Sequence, residues 1–231
     1  MGIKERHERD REAVRQSILD AARELFVKEG FENVSIRKIA ERIEYSPAAI
    51  YGYFPSKDDI FFSLAEHGFR LLYGDHRDAE ALDALPPIER LRAIFWRLYE
   101  FSCEHPQYFA LMFVDRSVPR IGHEYERFAF AREMKAQYIE ELDRCVRGGV
   151  FPPHVPPAAA FRLLSTGLIG VATLRLSQRL APEEDADALA RDMLDATIAG
   201  LRSGMALRSK ALSVWELDRA AAAVSSQESL S

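Results

Sequence analysis

Nine consecutive residues, Ser46-Pro47-Ala48-Ala49-Ile50-Tyr51-Gly52-Tyr53-Phe54, combine a helix cap, a bare surface and two phenol hydroxyls. Ser46 is suited to an N-cap, and Pro47 stands at the first helical position, where its missing N–H costs nothing. Pro55 stops the segment after barely two turns. Ile50 and Phe54, four apart, share the inward side. Ala48, Ala49 and Gly52 leave the outward side almost without bulk, flanked by Tyr51 and Tyr53. A helix with so bare a face can press closely against something large and flat, and the major groove of DNA is such a surface.

The neighbouring elements are those that would hold this stretch in place. Val14, Ile18, Ala21, Ala22, Leu25 and Phe26 fall on one helical face, Gly30 closes that helix, and Phe31 can fold back on Phe26. Ser35 caps a short second helix with Ile36, Ile39, Ala40 and Ile43 inward and Arg37, Lys38, Glu41 and Arg42 outward. Glu44-Tyr45 then turns the chain into the Ser46 helix, and two short helices joined this tightly fit a helix-turn-helix. Ser56-Lys57-Asp58-Asp59 reads as a capping box opening a long helix with the stripe Ile60, Phe61, Leu64, Ala65, Gly68, Leu71 and Leu72. Lys57 opposes that helix's dipole, a position that suits a nearby phosphate. Residues 1 to about 12 alternate in sign, either as a solvated helix extension or as an arm whose Arg6 or Arg9 reaches DNA backbone.

The chain as a whole bounds the answer only loosely. Its 231 residues, 48% hydrophobic and 29% charged, are those of a soluble globular protein with a core. The net charge of −5, and eleven Lys/Arg against twelve Asp/Glu in the first sixty residues, confine any basic footprint to a local patch. Two cysteines, Cys103 and Cys145, form no CxxC, which suits a reducing cytoplasm. The charged N-terminus does not resemble a signal peptide. The longest apolar run, between Arg162 and Arg175, is twelve residues, against the roughly 20 needed to span a bilayer, so no membrane segment is expected.

Val34 to Ala40, Ser46, and Ile50-Tyr51-Gly52-Tyr53-Phe54-Pro55-Ser56-Lys57-Asp58 together resemble the DNA-binding domain of the tetracycline-repressor (TetR) family over about residues 11 to 60. The resemblance implies phosphate contacts from Ser35, Ser46, Tyr51, Tyr53 and Lys57. It implies base contacts from Arg37 and from the small face of Pro47, Ala48, Ala49 and Gly52. Two positions depart from the family pattern: Glu44 stands where the turn usually has glycine, and Gly52 where a larger polar residue is common. Tyr99 to Phe113, with its His-Pro and Met-Phe, is similar to the ligand-binding half of one subgroup.

Beyond a polar connection at 74–87, further amphipathic helices follow. One carries Ile88, Leu91, Ile94, Phe95, Leu98 and Ser102 and ends at His105-Pro106; another runs from roughly His123 to Arg147. Two more carry Phe161, Leu164, Leu168, Val171 and Leu174, and then Leu189, Met193, Leu194, Ile198 and Leu201. A single chain covers only part of these last two stripes, so they are expected to pair with a second copy as a four-helix bundle. The aromatics of this half are mostly core, but together can line an apolar pocket. The expected ligand-binding residues are Trp96, Tyr99, His105, Phe109, Phe113, Phe128, Tyr138, Arg162 and Thr166. No HExxH, GxSxG or phosphate-binding glycine loop occurs, and Cys103 and His105, two apart on a helix, point apart. Neither catalysis nor a metal or other cofactor is expected.

The resulting expectation is an all-α chain. A helix-turn-helix DNA-binding domain at 1–57 precedes an effector-binding and dimerisation domain at 58–205 and a tail at 206–231, which starts with a short helix bearing Leu212, Trp215 and Leu217. It would be a cytoplasmic homodimer, joined through helices within 158–204, that represses from a palindromic double-stranded operator and lets go when a small apolar or amphipathic effector binds. Two alternatives stay open: the same architecture without a small-molecule pocket, and an all-α interaction module that has lost DNA binding.

Overall fold

The computed structural model describes residues 3–73, 82–115 and 129–208. Among them are nine α-helices, one π-helical turn and no strand. They are α1 (Ile3–Glu29), α2 (Ile36–Arg42), α3 (Pro47–Tyr51), α4 (Lys57–Tyr73), α5 (Pro87–Glu104) and α6 (Pro106–Phe109), which runs into the π turn Ala110–Val114. After these come α7 (Ala129–Arg147), α8 (Pro157–Leu176) and α9 (Ala186–Arg202). The all-α expectation holds. The start of the long helix at His123, Phe128, and the helix expected around Leu212, Trp215 and Leu217 lie outside the described residues. The chain divides into two compact units, Met1–Arg70 with His105–Phe128, and Leu71–Glu104 with Ala129–Ser231. The border of the first unit thus falls inside α4, beyond residue 57.

In the first unit, Ile18, Ala22 and Phe26 are fully buried along α1, together with Leu19, which the spacing argument passed over. Gly30 takes φ 82°, and its N–H bonds the Phe26 carbonyl at 2.9 Å, a left-handed stop that a side chain would strain. The Phe31 ring then returns to 5.0 Å from Phe26. Ser56 opens α4 by accepting from the Asp59 N–H at 3.1 Å and donating its hydroxyl to the Asp59 carboxylate at 2.6 Å. Helix α6 is fastened to α1 by Arg23, whose Nη1 donates to the Tyr108 hydroxyl and whose Nε donates to Gln107 Oε1, both at 3.0 Å. A Cβ added at Gly68 of α4 would collide with Met112 Sδ, so any larger residue there requires the Met112 side chain to shift.

In the second unit, α8 is the central helix, packed against α5, α7 and α9, with Leu164, Leu168 and Val171 buried. By length and composition its 20 residues are enough to cross a membrane, a test that the core helix of a soluble protein also passes. Arg162 lies in the second turn of the helix and Arg175 in its last turn. Its packing on three neighbours is that of a core helix. Asp185 caps α9 by accepting from the N–H groups of Asp187 and Ala188 at 2.9 and 3.2 Å.

Candidate nucleic-acid interface

The turn that presents α3 is built without glycine. Glu44 takes φ 60°, its N–H bonds the Glu41 carbonyl at 3.3 Å, and the Tyr45 N–H bonds the Ala40 carbonyl at 2.9 Å. This pair of bonds is the Schellman stop, with an exposed glutamate in the left-handed position glycine usually fills. The strain is tolerable because the Glu44 carboxylate can stay in water.

Helix α3 then presents two unlike sides. Ile50 is 0% and Phe54 3% exposed, while Pro47, Ala48 and Gly52 are exposed, Ala49 is half-buried and Tyr51 is 55% exposed. Ser46 Oγ accepts from the Ala49 N–H, and Ser35 Oγ accepts from the Lys38 N–H, each at 3.2 Å. Both caps spend an acceptor lone pair, so each hydroxyl keeps its proton to donate to an oxyanion. Arg37 is exposed and lies 2.8 Å from Glu41 one turn on. An exposed pair of this kind is worth about 0–1 kcal/mol, so the guanidinium can be recruited by a better acceptor.

Lys57 has a different setting from the one expected. Its Nζ donates to the Phe31 carbonyl at 2.7 Å and stands 4.2 Å from the centroid of the Phe31 ring. The carbonyl just beyond the α1 stop gives this cation a partner within the chain. Arg42 and Lys38 of α2 are likewise engaged, with Glu24 at 2.9 Å and with Glu29.

The residues expected to line an effector pocket fall in separate places. Phe95, Tyr138 and Phe161 meet ring to ring in the second unit, at centroid distances of 5.2 to 6.1 Å. The Tyr138 side chain makes no hydrogen bond among the described residues, and burial pushes its phenol up to about 12. Trp96 lies 4.9 Å from the Tyr99 ring and under the Arg191 guanidinium at 4.4 Å. Tyr99 donates to Asp187 Oδ1 at 2.7 Å, and burial followed by that bond holds its phenol well above the ordinary value. His105, Phe109 and Phe113 belong to the first unit, where the Phe109 and Phe113 rings lie 5.1 Å apart. Phe128 lies outside the described residues. Arg162 and Thr166 do not join the aromatic cluster: Leu164, Leu168 and Val171 take the inward face of α8, and helical spacing leaves these two exposed.

One buried polar group was missed. Arg175 Nη2 donates to the Ser102 carbonyl at 2.6 Å, and the fully buried Ser102 hydroxyl donates to the Tyr99 carbonyl at 2.6 Å. The available signal was a serine at an inward position of α5 and an arginine in the last turn of the largely apolar α8. Among the described residues, no three His, Cys, Asp or Glu gather to hold a metal ion.

Comparison with known proteins accounts for both halves. Residues 18–64 match the family model of bacterial regulatory proteins of the tetR family, and residues 91–197 match the tetracyclin repressor-like C-terminal domain. The chain is 33% identical over 101 residues to the HTH-type transcriptional repressor NicS of Pseudomonas putida KT2440, a match covering 42% of this chain and 46% of that protein. The match therefore spans about half the length of NicS. To the HTH-type transcriptional repressor KstR2 of Mycobacterium tuberculosis it is 24% identical over 155 residues, covering 65% of this chain and 75% of that one. Among solved structures, FadR of Bacillus subtilis, in complex with stearoyl-CoA, superposes with a TM-score of 0.65 at 17% identity, covering 80% of this chain and 98% of that chain. That likeness concerns the fold alone. With the helix-turn-helix of α2 and α3 and the helical second unit matched in turn, the chain belongs to the tetR family of bacterial regulatory proteins and is a DNA-binding transcriptional regulator.

Proposed function

We propose that the chain acts as a cytoplasmic homodimeric repressor that grips a near-palindromic operator and releases it when a small apolar or amphipathic molecule occupies the C-terminal half. In this reading residues 1–57 bind DNA, 58–205 bind the effector and the second copy, and 206–231 form a tail. The observation that carries it is the division of α3, with Ile50 and Phe54 in the core and Ala48 and Gly52 bare. Ser35, Ser46, Tyr51, Tyr53 and Lys57 hold phosphates. Arg37 and the face of Pro47, Ala48, Ala49 and Gly52 meet base edges. Because a five-residue helix reads few base pairs, two copies must read half-sites about 34–36 Å apart or a multiple of that.

Dimerisation is assigned to α8 and α9. Gly167 is used within the chain, since a Cβ there would stand 2.8 Å from Met193 Cγ. Gly170, by contrast, has nothing within 4 Å of such a Cβ, and Thr166, Leu174, Met193 and Ala196 are exposed beside it. That open, low-relief surface supports a second copy's helices. The effector is assigned to the aromatic cluster of the second unit, with Tyr138 as its polar handle and Phe95 and Phe161 as walls. Its action is a population shift: it releases DNA only as far as it prefers the dimer whose recognition helices are wrongly spaced.

Footprinting the purified protein on DNA around its own gene tests the reading, with two protected segments expected and steep salt dependence. A second reading, the same regulator without small-molecule control, is favoured by how closely Phe95, Tyr138 and Phe161 fill one another's space. A thermal-shift screen separates the two: stabilisation by any apolar or amphipathic compound supports the first, and none supports the second.

A further inference from the structure

The first sixty residues are nearly balanced in charge, so a DNA-binding surface there depends on which cations are not already taken. Most are taken. Arg15 pairs with Glu12 at 3.6 Å and bonds Ser63, Arg23 pairs with Asp20 at 3.1 Å, and Arg37 with Glu41 at 2.8 Å. Lys38 pairs with Glu29, Arg42 with Glu24, and Lys57 with the Phe31 carbonyl. Arg11 is different. It is exposed on α1, and among the described residues it makes no ion pair or hydrogen bond, although Glu8, Asp10 and Glu12 are close in sequence. Its one such interaction among the described residues is with an aromatic ring: the guanidinium carbon stands 5.9 Å from the centroid of Tyr53.

Tyr53 follows the Gly52 cap of α3, is half-exposed, and its hydroxyl makes no hydrogen bond among the described residues. A guanidinium held over a ring keeps its planar fork of donors pointing outward, and that fork matches the oxygens of a phosphate. An unspent hydroxyl donor and an unpaired cation therefore meet at the C-terminal end of α3, opposite the end capped by Ser46.

We infer that Arg11, steered by the Tyr53 ring, is a further DNA phosphate contact, by which α1 grips the backbone flanking the base-reading face. This rests on the proposed operator binding. It also assigns a use to the sign-alternating N-terminal stretch that differs from a reaching arm, because the residue lies within a helix and is already oriented.

The test measures the affinity of the full-length wild type, Arg11→Gln and Arg11→Lys for a duplex selected from a randomised pool, between 50 and 200 mM salt, with thermal melts of each protein. Each phosphate neutralised contributes about 0.9 to the slope of log K against log salt, and a dimer has two copies of Arg11. Arg11→Gln should therefore flatten the slope by about 1.8, making its deficit relative to wild type about 12-fold larger at 50 mM than at 200 mM salt. Arg11→Lys should keep most of the slope, the melting temperatures should agree, and the loss should be the same on operator variants. An unchanged slope in Arg11→Gln while wild type binds normally overturns this inference alone. So does a loss confined to particular base positions, or one that tracks a fall in melting temperature. Failure of wild type to bind any selected duplex overturns the operator reading with it.

Discussion

The surface assigned to DNA and the cluster assigned to the effector are built on opposite plans. The first is an exposed patch with almost no side chain, framed by two hydroxyl caps and held from behind by Ile50 and Phe54. The second is buried and crowded, with Phe95, Tyr138 and Phe161 ring to ring and a phenol with no partner among them. One works by leaving room for a rigid duplex. The other works only if rings move apart for a guest. Stability and binding should therefore respond independently in the first region and together in the second.

The largest expected effect comes from the supporting side of α3. Phe54→Ala should lower unfolding stability by about 3–5 kcal/mol, read by chemical denaturation, and lose DNA binding through loss of the support. Ala48→Glu should abolish binding without changing the melt, since it only fills the exposed side and adds a like charge. If Ala48→Glu destabilised as much as Phe54→Ala, the two sides of α3 would not be distinct.

Next is Arg37→Ala, expected to cost about 1–3 kcal/mol in operator affinity and to relax preference at one position per half-site in a competition assay. An equal loss on every sequence would make Arg37 a phosphate contact instead.

Tyr138→Phe sharpens the other half of the comparison. Removing the hydroxyl, which has no hydrogen bond among the described residues, should change stability by less than about 1 kcal/mol near neutral pH, while weakening effector-induced release of DNA. Its stability should also be flatter between pH 10 and 12 than that of wild type. In that window the unfolded tyrosine has ionised while the folded one, pushed up to about 12, holds its proton, so wild-type stability falls as pH rises. A variant that kept both the pH slope and the effector response would remove Tyr138 from the site.

The smallest effect is at the turn. Glu44→Gly should relieve a left-handed residue and raise stability by less than about 1 kcal/mol, partly offset by chain entropy. DNA affinity should rise slightly as a nearby negative charge is removed.

The same contrast explains what could be read from the sequence. Caps, the turn and the two sides of α3 depend on residues within four positions of one another, so Ser35, Ser46, Ile50 and Phe54 were legible, as was the Gly30 stop with Phe31 returning to Phe26. The second unit assembles Phe95, Tyr138 and Phe161 from three helices far apart in the chain, and spacing along one helix says nothing about which rings meet. The exposure of Arg162 and Thr166 was not legible because polar residues beside an apolar stripe look alike whether they face a chamber or solvent. The partner that Lys57 has within the chain, the Phe31 carbonyl, was not legible because it is a backbone atom of a distant turn. The occupancy of Arg15, Lys38 and Arg42, which isolates Arg11, likewise exists only once α1, α2 and α4 are packed together.

The central claim is that two bare α3 surfaces, carried by a dimer, fit successive grooves of one operator. Hydroxyl-radical footprinting with the protein's mass measured in the same buffer tests it directly. The account predicts a dimer protecting two segments whose centres lie one helical turn or a whole number of turns apart, lost in Ala48→Glu. A monomer in dilute solution, or a single protected segment that survives Ala48→Glu, would contradict it.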